Sequence, residues 1–221
     1  MNDGGAAVAS PVNSSRESKN GTSRRNMLRG LAATPVAVKG ICPPWAKGLE
    51  QLHSHHEDEP AKLVRTKEGR NESRFRYQRA EQWMASLETG FLTELRFARE
   101  ALHHVGFVTQ QALCAYLLDM GFADAWNARH IKQDIAKALA YANASGFPHD
   151  CPDMARLAAV LSPYWKWGYH YDPWDKGRPD AGGFVPGTIV PLARTLLDRV
   201  HDLTGHPRPK GWHRERQETR S

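Results

Sequence analysis

The chain has 221 residues, 40% of them hydrophobic and 24% charged, with a formal net charge of +6. That balance excludes a membrane bundle and a wholly disordered polymer, and it leaves room for one compact domain with long tails. The charge is uneven: residues 1–48 carry +5, residues 49–80 carry +1 and residues 205–221 carry +3, whereas residues 81–204 hold eleven basic and fourteen acidic groups for −3. A globally basic core is therefore not expected. Basic arms on a mildly acidic body could still add salt-sensitive attraction to phosphates or anionic lipid.

Residues 1–22 are rich in Gly, Ser, Asn and Ala without periodicity. They are followed by Ser23-Arg24-Arg25-Asn26-Met27-Leu28-Arg29 and the small, apolar run Gly30 to Val38. This stretch resembles a twin-arginine export signal, in which a charged head precedes a modest hydrophobic segment. The resemblance implies a folded cargo carried across a bacterial inner membrane, with Arg24 and Arg25 as the signal pair. A run of roughly 18 apolar residues is needed to span a bilayer, and the chain has none, so no integral membrane segment is expected. Residues 46–79 are dense in charge and poor in large apolar groups, which reads as linker. Within them His53-Ser54-His55-His56-Glu57-Asp58-Glu59 reads as a solvated polar run rather than a metal site. The three cysteines, Cys42, Cys114 and Cys151, suit neither a disulfide scaffold nor a zinc ribbon, and Cys114 falls in an apolar helical segment.

From Gln78 the pattern becomes helical. Trp83, Leu87, Phe91, Leu95, Ala98, Leu102 and Val105 recur every three or four residues, which predicts one long amphipathic helix that stops at Gly106. Thr109 is then expected to cap a second helix that buries Leu113, Leu117 and Met120 and ends at Gly121. Asn127 is expected to cap a third, with Ile131, Ile135, Ala138 and Ala142 inward. Pro152 opens a fourth around Met154, Leu157 and Leu161. Thr188 caps the last, with Ile189, Leu192, Leu196, Val200 and Leu203 on its apolar face and Gly205 at its end. In residues 162–187, Trp165, Trp167, Tyr169 and Tyr171 alternate with polar residues, which predicts a short aromatic β-hairpin or ordered loop, read as a core lid or an aromatic surface.

The fold class that follows is mainly α: a compact bundle of about five helices over residues 78–205, a disordered leader and linker over 1–77, and a basic tail over 206–221. The stretch from Thr109 to Ala142 resembles helix-turn-helix and winged-helix proteins. That resemblance covers about 35 residues and implies a recognition helix that presents Arg129, Gln133 and Lys137 to base edges. No nucleophile elbow, phosphate loop, His-Glu-x-x-His or Cys-x-x-Cys is present, so no catalytic residue, cofactor or metal ligand is assigned. The leading expectation is a non-enzymatic, cytoplasmic binding module whose partner is DNA or another protein. The alternatives are a periplasmic accessory or subunit protein exported by the twin-arginine route, and a structural interaction domain.

Overall fold

The computed structural model describes residues 44–88, 98–168 and 179–209, all within a unit that spans Cys42–Ser221. Six α-helices of ten residues or more organise it, and no strand occurs among the described residues. We label them α1 (Pro44–His56), α2 (Lys67–Glu88), α3 (Ala98–Met120), α4 (Ile135–Ala144), α5 (Pro152–Leu161) and α6 (Pro186–Thr204). No helix is long and apolar enough to cross a membrane among these residues.

The composition of α3 decides its place. Its apolar residues run nearly all round, with Leu102, Val105, Val108, Ala112, Leu113 and Leu117 buried, so it cannot lie on the surface and becomes the axis of the bundle. α2 and α6 pack along it, and α4, α5 and a 3-10 turn at Tyr164–Trp167 close its other sides.

Gly106, the expected stop, lies inside α3. A Cβ there would come within 2.5 Å of the Tyr164 Cβ, so the glycine is kept for the close approach of the aromatic segment. The Gly106→Ala variant is expected to lose about 1–3 kcal/mol in chemical denaturation through this clash, against roughly 1 kcal/mol of helix propensity gained. Thr109 is likewise not a cap but a fully buried residue in mid-helix. The long helix expected from Gln78 to Val105 is instead divided: Trp83 and Leu87 belong to α2, Ala98, Leu102 and Val105 belong to α3, which runs on through Gly106, and Phe91 and Leu95 lie outside the described residues.

Gly121 does end the helix, at φ 101°, and Phe122 N–H reaches back to the Leu117 carbonyl at 3.0 Å. The fourth and last helices also form, with Met154, Leu157, Leu161, Ile189, Leu196 and Val200 fully buried. α6 starts before Thr188, whose hydroxyl bonds the Val185 backbone, and Gly205 closes it at φ 67°.

Two further sequence expectations need correction. The body begins well upstream of residue 78: α1 places Leu49 in the core, and a strap from Glu57 to Thr66 leads into α2. Thr66 caps α2 by accepting the Gly69 N–H at 2.9 Å. The first half of α2 was hidden because Ser73 and Tyr77 are the residues it buries before Gln78, and the apolar stripe of Tyr77, Ala80, Met84 and Leu87 starts only at its middle. The aromatic β-hairpin is absent from the described part of its segment, since Trp165 and Trp167 sit on a 3-10 turn. That turn separates them: Trp167 is 4% exposed and joins the core, whereas Trp165 is 50% exposed. Tyr169 and Tyr171 lie outside the described residues, as do Arg24 and Arg25.

Candidate functional site

The segment read as a recognition helix is broken into three pieces. Asp124–Trp126 forms a single α-turn, Asn127–Ile131 forms a π-turn, and α4 starts only at Ile135. Between them Lys132 takes φ 53° and ψ −115°, a conformation that strains any residue with a Cβ. Two contacts hold it: Lys132 N–H donates to the Asn127 carbonyl at 2.9 Å, and Gln110 Nε2 donates to the Lys132 carbonyl at 2.5 Å. Asp134 rather than Asn127 caps the helix, through the Lys137 N–H at 2.9 Å. The isoleucine pattern survives the break, because Ile131 and Ile135 are both buried, and this is why periodicity alone suggested one helix.

The break scatters the three side chains assigned to DNA. Lys137 turns inward, its ammonium 2.8 Å from Asp58 with only 12% of its side chain exposed. Arg129 leaves the π-turn toward Glu59 at 3.3 Å, and both partners are largely in water. Gln133 lies in the turn between the two pieces, half-buried. All three border one open cleft of about 550 Å³, together with His130, Lys132 and Trp165, yet they share no helix face.

Lys137 is drawn in by Asp58, whose side chain is only 5% exposed. Its carboxylate also accepts from Tyr141 Oη at 2.6 Å and meets His130 Nδ1 at 3.2 Å. Burial alone would push this carboxyl up, but hydrogen bonds from Lys137, Tyr141 and His130 hold it below the usual aspartate value. His53 packs against Trp126 and Tyr141, and burial lowers its pKa, partly offset by Asp58. Its Nε2 accepts the Ala61 N–H at 3.2 Å, and Trp126 Nε1 donates to the Glu59 carbonyl at 2.8 Å, so the strap is tied down on both sides of Pro60. Part of the polar run at 53–59 is therefore interior. No local signal marks it, because apart from Ala61 its hydrogen-bond partners lie 67–83 residues away.

A second arrangement emerges on α2. At 100° per residue, Asn71, Arg74, Phe75, Gln78, Arg79, Gln82 and Trp83 fall within roughly 180° of the circumference, opposite the buried row. Phe75 is 56% and Trp83 37% exposed; Asn71, Arg74, Arg79 and Gln82 are also exposed, and Gln78 is half-buried. Two of the carboxylates of α2 share this arc, Glu72 and Glu68, and two do not. Glu81 is buried under Arg194 and Glu88 is paired with Arg194 at the far end, whereas Glu72 sits between Arg79 and Trp83, paired with Arg76, and Glu68 lies in the first turn. The Arg79 guanidinium stands 5.3 Å over the Phe107 ring, an arrangement that orients it without neutralising it.

One serine-histidine pair has the groups for nucleophilic chemistry but fails on access. Ser73 Oγ lies 2.7 Å from His206 Nε2, but the same hydroxyl bonds the Ala115 carbonyl at 2.6 Å, and both residues are at most 2% exposed. No reactant reaches it, and the pair fastens α2 to α3 and to the segment after α6. Cys114 is also buried, which pushes its thiol up to about 11, well above the reactive range. No protein-family model, curated protein or solved structure matches the chain.

Proposed function

We propose that this protein is a non-catalytic nucleic-acid-binding module in which α2, rather than the segment after Asn127, is the contacting helix. The observation that carries this reading is the exposed row of α2: cations, side-chain amides and two aromatic rings, with Glu72, the one carboxylate on this arc between Asn71 and Trp83, paired with Arg76. An arginine offers its fork to phosphates or guanine, asparagine and glutamine match the adenine edge, and an aromatic ring can meet a thymine methyl. A helix about 10–12 Å across fits the major groove of a duplex. The charge balance agrees, since the basic ends would add non-specific attraction. A protein with this task works where nucleic acid is, in the cytoplasm.

The test is duplex binding by the full chain across a salt series. With Arg74 and Arg79 both changed to alanine, the slope of log K against log salt is expected to shrink by about two units, roughly 0.9 for each phosphate that is no longer neutralised. Gln78→Ala should instead narrow the affinity difference between sequences, by about 1–3 kcal/mol if it reads a base. An unchanged slope in the double variant, or a weakening seen only with Arg129→Ala and Gln133→Ala, would return the reader to the other segment.

A further inference from the structure

Asn127 opens the π-turn at 4% exposure, and neither atom of its side-chain amide has a hydrogen-bond partner among the described residues. Its backbone is fully used: N–H donates to Ala123 and the carbonyl accepts from Lys132. An asparagine at the start of a helical turn ordinarily spends its side chain on capping, and this one does not. A buried amide left unpaired is destabilising, and folds retain such groups chiefly where something else completes them.

The side chain lines a cleft of about 480 Å³ between α2, α3 and the π-turn, whose other walls include Arg76, Gln110, Cys114, Asp124 and Lys132. Gln110 is committed to the strained Lys132 carbonyl, so that wall is fixed before any ligand arrives. Arg76 and Asp124 pair at 2.9 Å and cancel one another, so this pair offers a ligand no net charge beside the Asn127 amide. The un-ionised Cys114 thiol adds a soft, weakly polar surface.

We infer that this cleft binds a planar neutral group that carries an N–H donor beside an acceptor, the edge shared by a primary carboxamide and an aminopurine. An amide oxygen and its NH2 lie side by side in one plane, so a ligand with the complementary pair satisfies both at once. The site is independent of the α2 surface and does not require nucleic acid binding.

The experiment uses the whole protein with two probes, nicotinamide and 9-methyladenine, each against an analogue without the donor, N,N-dimethylnicotinamide and 9-methylpurine. A probe that fits shifts the Asn127 side-chain NH2 resonance and raises the melting temperature, and its donor-less analogue binds roughly tenfold more weakly or worse. The probe that responds identifies the source of the edge. Asn127→Leu is expected to abolish the response while the unliganded protein melts at the same temperature or higher, since an unpaired amide has been removed. The inference is overturned if neither probe acts at millimolar concentration, which would mean that water alone fills the cleft, or if the donor-less analogues bind equally well. Loss of stability in Asn127→Leu, with no probe response in the native chain, would make the residue purely structural.

Discussion

Replacing Arg194 with alanine is expected to lower the unfolding free energy by about 3–5 kcal/mol and the melting temperature by roughly 10 °C. The guanidinium, on α6 and 6% exposed, donates to Glu81 at 2.8 Å and to both oxygens of Glu88 at 2.7 and 3.0 Å. Glu81 is itself 1% exposed, so its charge has almost no water to fall back on. Tyr77 Oη, at 2.5 Å, and Arg208, at 3.5 Å, also meet it, but the hydroxyl brings no charge and the arginine is only at the edge. Arg194→Ala therefore strands a buried anion, and much of the destabilisation comes from that stranding. A double variant, Arg194→Met with Glu81→Gln, removes both charges and should recover a large part of the stability. Denaturant titrations of the three proteins check this; equal losses in the single and double variants would show that shape, and not charge, holds the two helices together.

Asp58→Ala is the second large effect, again about 3–5 kcal/mol, because it leaves the half-buried Lys137 ammonium and the Tyr141 hydroxyl without their acceptor. Its pH dependence distinguishes it from a packing defect. The Asp58 carboxyl is lowered in the folded protein, so its contribution is complete above the ordinary aspartate value and disappears as pH falls through the depressed one. The native protein should thus lose stability in acid more steeply than Asp58→Asn, which cannot titrate there. Neighbouring His53 and His56, whose values burial lowers, resist protonation in the fold and add a second loss on the acid side, common to both proteins. Stability profiles that run parallel from neutral pH to acid would exclude Asp58 as a titrating anchor.

The helical class and the carboxyl half of the body were legible because those elements carry their own punctuation. Pro152 opens α5, Gly121 and Gly205 end α3 and α6 with positive φ, and the rows of leucine and isoleucine between them are buried. What escaped was written in long-range terms. Gly106 looked like a stop because its reason, the ring of Tyr164, lies 58 residues further on. Lys132 carries no mark of a positive φ, and its geometry is imposed by the buried Gln110. α2 buries polar groups that only become tolerable once Arg194, Arg208 and His206 arrive from the other end of the chain. The same polarity that hid the helix leaves its outer row without greasy side chains except Phe75 and Trp83.

The strap has a practical corollary. Val64 N–H pairs with the Gly121 carbonyl at 2.9 Å, and a Cβ on Gly121 would meet the Val64 backbone at the same distance, so the strap lies flush against the end of α3. A fragment trimmed to residue 67 or 78 would discard that cover and bare Trp126, Tyr141 and Phe122 to solvent, inviting precipitation. The smallest piece worth producing for crystals or binding assays begins no later than Pro44.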